Sequence, residues 1–141
     1  MDSDGTTHGG WPDDGADVNR PDVVAEVTAC FEAYEAALVA DDLDALDAAF
    51  WDSAHVVRYG IADHEHGAAA IAAWRRASPG AVHPARRLVG TVITTFGPDA
   101  ATVSCRFVNG DEPGHGRQQQ TWIRRPEGWR IVAAHVSFVA G

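Results

Sequence analysis

The last quarter of the chain, Gly116 to Val139, limits what the rest can fold into. It reads as two β-strands joined by the tight turn Arg125-Pro126-Glu127-Gly128, where proline presets φ and glycine supplies the positive φ that closes a hairpin. A hairpin that only covers a core alternates apolar with solvated side chains. This one carries Arg117, Gln118, Gln119 and Gln120 ahead of Trp122, and sets His135 and Ser137 inside an apolar run. Side chains two apart share a strand face, so Gln118, Gln120 and Trp122 point one way, and His135 and Ser137 share a face. Polar groups aimed at a core need partners, since each one left unpaired costs about 1–3 kcal/mol. A sheet wrapped around a polar pocket meets that demand.

The 141 residues suffice for one domain with a sizeable core, and a hydrophobic share of 45% is that of a globular protein. A net charge of -9 argues against nucleic acid as a partner. Much of the acidity sits in residues 1–20, which are rich in Asp, Gly, Thr and Pro, show no periodicity and read as a disordered leader. Cys30 and Cys105 fall in a helical and a strand-like segment, which fits two thiols in a reducing cytoplasm better than a disulfide framework. No apolar run nears the roughly 20 residues of a membrane span, and the acidic N-terminus lacks the apolar stretch of a secretory signal.

From Asp22 to Ala40, Val24, Val27, Phe31, Tyr34 and Leu38 recur at spacings of three and four, which predicts an amphipathic helix entered through Pro21. Asp41-Asp42 offers a cap for a short second helix through Leu43, Leu46 and Phe50. Ala54 to Tyr59 reads as a strand stopped by Gly60. A third helix over Ala68 to Ala77 has Ile71 and Trp74 on one face and is broken by Pro79-Gly80. Arg86 to Phe96 and Ala100 to Asn109 are strands flanking the turn Gly97-Pro98-Asp99. Helices first and hairpin-linked strands afterwards predict an α+β fold: a cone-shaped, curved antiparallel sheet around the long N-terminal helix, with two short helices.

Two residues stand out for chemistry. Tyr34 lies on the buried stripe of the first helix, either as a core side chain or as a pocket phenol. Arg58 interrupts Val56-Val57 in a short strand. It is either an edge cation in solvent or a fixed cation in an enclosed site, suited to bidentate capture of a carboxylate. His64-Glu65-His66 puts two imidazoles on one face if extended, but no third ligand stands at a metal-site spacing, so no metal is expected. Phosphate-binding glycine loops and a Gly-x-Ser-x-Gly elbow are missing from the sequence.

Six separated, collinear blocks then resemble one family: Ala25 to Glu35, Phe50-Trp51-Asp52, Val57-Arg58-Tyr59-Gly60, Ile93 to Gly97, Gly116 to Trp122 and Gly128 to Ser137. Together they are similar to the AtzH-like family of the nuclear-transport-factor-2-like (SnoaL-like) superfamily, over Pro21 to Val139. The resemblance implies the cone-shaped fold and a homodimer through the convex sheet; no cofactor is expected. It also implies ureide catabolism alongside an amidase-signature amidase, by a decarboxylating amidohydrolase that converts 1,3-dicarboxyurea to allophanate. The Tyr and Arg that such a reaction needs fall on Tyr34 and Arg58. Arg58 would hold a carboxylate and Tyr34 would act as acid, its pKa lowered by that cation. Gln118 and Gln120 would bind a urea-like core, with Trp74 and, as a second cation, Arg106 also in contact with the small anionic substrate. His135 is either a substrate-site residue that orients Tyr34 or a water, or a hydrogen-bonded structural histidine. A non-catalytic carboxylate-binding protein, or an accessory of an amidase, is the alternative.

Overall fold

In a computed structural model, which describes residues 17–141, the amphipathic segment forms α1 (Pro21–Ala40). Pro21 occupies the first turn, where its missing N–H has no intrahelical partner to lose, and Val23, Val27, Phe31, Tyr34 and Leu38 bury one stripe. The N–H groups of Asp41 and Asp42 close the helix onto the carbonyls of Leu38 and Ala37. Asp42 also caps α2 (Leu43–Ala49), its side chain accepting from the Ala45 N–H at 3.2 Å. The third helix, α3 (Ala68–Ala77), has the predicted bounds.

Six strands make one curved sheet: β1 (Val57–Tyr59), β2 (His64–His66), β3 (Arg86–Phe96), β4 (Ala100–Asn109), β5 (His115–Arg125) and β6 (Gly128–Val139). Their spatial order is β2-β1-β6-β5-β4-β3. The expected α+β architecture of a curved sheet with three helices is therefore present. All neighbours are antiparallel except β1 and β6, which run parallel. Among the described residues no helix is long and apolar enough to cross a membrane. Cys30 and Cys105 are both free thiols.

Three details differ from the sequence reading. The strand expected from Ala54 starts only at Val57, because the His55 N–H turns back onto Ser53 Oγ at 3.0 Å. His64–His66 forms a strand that no apolar alternation announces; its pairing with β1 supplies the order. Residues 1–16 of the expected leader lie outside the described residues, but 17–20 run along the end of β3. Val18 bridges Phe96, and Asn19 pairs with Thr95 through both its backbone N–H (3.0 Å) and its side chain (2.9 Å).

The concave face carries the core. Val103, Cys105, Phe107, Gln118, Gln120, Trp122 and Ile131 are buried there against Val27, Phe31, Tyr34 and Leu38 of α1. Gly116 stands opposite Phe107 in the β4–β5 register, and a Cβ on it would collide with the Phe107 ring. Gly116→Ala should therefore lower stability by about 1–3 kcal/mol, the cost of overpacking. Urea unfolding should show a reduced midpoint at unchanged slope. A wild-type midpoint would contradict this packing.

Candidate functional site

The wide end of the cone encloses a cavity of about 200 Å³ between α1, α3 and the concave face. Tyr34 on α1, Arg58 on β1, Trp74 on α3, and Gln118 and Gln120 on β5 all line it. Five of the seven residues singled out in the sequence are thus brought together. The other two are not. His135 stands opposite Gln119 in the β5–β6 register, and Arg106 stands opposite Arg117 in the β4–β5 register. Directly paired residues share a face, and alternation puts Gln119 and Arg117 on the side away from Gln118 and Gln120. His135 and Arg106 are exposed on the convex face, beside a bond from Arg117 to Ser137 at 3.1 Å, and they cannot touch a ligand in the cavity.

Arg58 is a built site in itself. Its guanidinium lies on the Trp74 ring, with Cζ 3.8 Å from the centroid. One nitrogen, Nη1, donates to Asp63 Oδ2 at 2.7 Å and to Glu65 Oε1 at 2.9 Å. Its Nε and Nη2 make no hydrogen bond among the described residues. Glu65 faces Arg58 in the β1–β2 register, and Asp63 is delivered by the turn in which the Gly60 N–H donates to the Asp63 carbonyl at 2.8 Å. A Cβ on Gly60 would press on the ends of two side chains, 2.8 Å from Asp63 Oδ2 and 2.9 Å from Arg58 Nη1.

Two further arginines, not singled out for chemistry in the sequence, line the same cavity. Arg86 pairs with Glu35 through Nε at 2.9 Å and Nη2 at 3.1 Å, and stacks 4.1 Å from the Phe107 centroid. Arg75 on α3 is only 6% exposed. Its Nε donates to Asp47 at 3.2 Å, but its Nη2 is buried with no partner among the described residues. A buried N–H of a charged group without an acceptor is costly, which marks it as an unfilled donor position. For Glu35 and Arg75 the signal was helical spacing. Glu35 lies four residues after Phe31, and Arg75 lies four after Ile71, so each shares a buried face.

The two glutamines differ in what they have left to offer. Gln118 donates through Nε2 to Glu35 (2.9 Å) and Cys105 Sγ (3.6 Å), and its Oε1 accepts from Arg86 (3.3 Å). Its amide is engaged, so it positions the Glu35–Arg86 pair instead of presenting free groups. Gln120 uses only Oε1, which accepts from Trp122 Nε1 at 2.9 Å. Its Nε2 has no partner among the described residues. Tyr34 packs edge-on against Phe50 and Trp122, with ring centroids 6.1 and 6.4 Å away, and its hydroxyl likewise has no partner among the described residues. Burial pushes the phenol up; Arg75 and, more weakly, Arg58 pull it down, while Glu35 adds to the rise. Burial wins, which corrects the expectation of a lowered Tyr34 pKa.

On the outer rim, His64 and His66 are exposed on β2 with ring centroids 6.2 Å apart. Among the described residues no group of three His, Cys, Asp or Glu side chains could hold a metal ion.

Comparison with known proteins agrees with this architecture. A cystatin-like fold protein from Burkholderia xenovorans is 52% identical, with a TM-score of 0.84 over 88% of this chain and 97% of its own. A protein of unknown function from Pectobacterium atrosepticum is 47% identical, with a TM-score of 0.86 over 92% of this chain and 98% of its own. An NTF2-like protein from Pseudomonas putida, 20% identical, shares the fold with a TM-score of 0.71 over 83% of this chain and 87% of its own. No curated protein sequence matches the chain. The AtzH-like family model matches residues 16–141, which is the whole described fold, and the chain belongs to the AtzH-like family.

Proposed function

We propose that this protein is a decarboxylating amidohydrolase acting on an N-carboxylated urea or a related small ureide. The observation that carries the reading is the unfilled edge of Arg58. Trp74 fixes the plane of the guanidinium and the two carboxylates engage Nη1, leaving Nε and Nη2 as a ready fork for a carboxylate. The partnerless Nη2 of Arg75 adds a second donor in the same cavity, suited to another anionic or carbonyl oxygen. The Gln120 amide and the Tyr34 hydroxyl complete a set of donors matched to a planar, oxygen-rich molecule. A cavity of about 200 Å³ suits a small molecule.

In this reading Arg58 grips the N-carboxylate and holds the scissile bond in place. Tyr34, kept protonated by burial, donates a hydrogen bond to the urea oxygen, which gains charge as the bond breaks. The convex face presents exposed Tyr59 and Val92, and a homodimer through that face is part of the same proposal. An accessory protein that only binds the acid for an amidase would use the same donors; turnover separates the two.

Purified protein incubated with freshly made 1,3-dicarboxyurea should release CO2 and form allophanate, followed by mass spectrometry without added amidase. Arg58→Ala should lower kcat/KM by about 100-fold or more, and Tyr34→Phe by about 10–100-fold, with the fold intact. No turnover by the wild-type protein, alongside tight binding of malonate, would favour the accessory reading.

The raised Tyr34 pKa also predicts a stability effect. The unfolded phenol ionises near its ordinary pKa of 10.0 while the folded one stays protonated, so stability falls as pH rises past that value. Tyr34→Phe should show a smaller loss of urea midpoint between pH 9 and 11 than the wild type, by this linkage of roughly those pH units. An equal loss in both proteins would contradict the burial argument.

A further inference from the structure

Asp63 and Glu65 have so far served only to hold Arg58, yet their arrangement is that of a proton store. Both reach the same nitrogen, Arg58 Nη1. Asp63 lines the cavity; Glu65 is buried behind it on β2. One guanidinium offsets one negative charge, and two carboxylates this close resist ionising together, so the pair retains a proton. Burial raises Glu65, contact with Asp63 raises it further, and Arg58 opposes. For Asp63 burial also raises, but the Glu65 hydrogen bond and Arg58 bring it below the ordinary carboxylate value. The two carboxyls act on one another through a side-chain hydrogen bond, and Asp63 is the one that lines the ligand space. A Cβ at Gly60 would press on the tips of both Asp63 and Arg58.

Cleaving an N-carboxylate leaves an electron pair on nitrogen that needs a proton. Tyr34 is a reluctant donor, because burial has moved a phenol further above neutral pH. A carboxyl gives up a proton more readily than a phenol, and the rise in Glu65 favours its holding one to give. The partnerless Arg75 Nη2, buried in the same cavity wall, independently marks where a ligand's oxygen would rest.

We infer that the Asp63–Glu65 pair is the proton donor of this cavity, passing its shared proton through the Asp63 carboxyl to the nitrogen released from the N-carboxylate. This assignment rests on the reaction proposed above. The N–C bond breaks, its electrons stay on nitrogen, and the carboxylate leaves as CO2. Nitrogen takes the proton from Asp63, Glu65 having passed its own along. The dianionic pair, held by Arg58, then takes a proton from water.

The test is the pH dependence of kcat on 1,3-dicarboxyurea for wild type, Asp63→Asn, Asp63→Glu and Glu65→Gln, with malonate thermal shifts as a check on fold and binding. The other charged or titratable groups facing this space are Arg58 on β1, Tyr34 on α1, Arg75 on α3, Arg86 on β3, and Asp41 and His83 at the rim. The wild-type rate should fall on the alkaline side as the pair loses its proton, and His83→Asn should keep that limb. Asp63→Asn should lose about 100-fold or more in kcat with little change in KM, and Asp63→Glu should recover part of it. Glu65→Gln should shift the alkaline limb while malonate still stabilises the protein. If Asp63→Asn abolishes the malonate shift, the limb of Glu65→Gln decides. An active wild type whose Glu65→Gln and Asp63→Asn variants keep its kcat and its alkaline limb overturns the proton assignment alone. A wild type inert on 1,3-dicarboxyurea overturns the proposed reaction, and this assignment with it.

Discussion

A guanidinium in a half-closed cavity needs a counter-charge, and the way this protein supplies one governs the rest of the site. Arg58, Arg75 and Arg86 each bring a positive charge to the wall of a small cavity, and each has its own carboxylate: Asp63 with Glu65, Asp47, and Glu35. Leaving a buried charge without its partner would cost several kcal/mol, by roughly the 3–5 kcal/mol seen when one half of such a pair is removed. The partners come from different elements: β2 and the turn before it, α2, and α1. The charges therefore tie the helices to the sheet around the cavity as well as furnishing its chemistry. What distinguishes Arg58 and Arg75 from Arg86 is which donors are left over. Arg86 has Glu35 across its Nε–Nη2 edge, whereas Arg58 keeps that edge open and Arg75 has an orphan buried nitrogen.

Aromatic packing decides where those open donors point. Trp74 lies under Arg58, and Phe50 lies 5.5 Å from Arg75. Phe50 and Trp122 also bracket Tyr34. The same apolar walls that orient the cations remove water from the phenol and keep it protonated. A hydrogen-bond donor that stays neutral beside fixed cations suits recognition of a small, oxygen-rich anion. It is poorly suited to proton release, and in the proposed reaction that task falls to the carboxyl pair on Arg58.

Much of the fold was legible because it is local. The stripe of α1, the Asp42 cap, the bounds of α3 and the long β3–β4 and β5–β6 hairpins all follow from periodicity and turn residues. The face of Gln118, Gln120 and Trp122 followed from strand alternation. His135 and Arg106 were misplaced because alternation tells which residues share a face, not which face meets the helix; that depends on the register with β4 and β5. The β2 strand and the Asp63–Glu65 pair were invisible for a related reason. Three polar residues carry no strand signal, and their partner Arg58 becomes a partner only once β1 and β2 pair. The pKa of Tyr34 was misjudged because a nearby cation was weighed and the extent of burial was not.

The central claim is that the cavity is built to hold a small carboxylate on the free edge of Arg58. A crystal structure of the protein soaked in malonate tests it most directly. One malonate carboxylate should lie on Arg58 Nε and Nη2 in the plane stacked on Trp74, and the other within reach of Arg75 Nη2. Malonate absent from the cavity, or bound only on the convex face near Arg106 and His135, would contradict it.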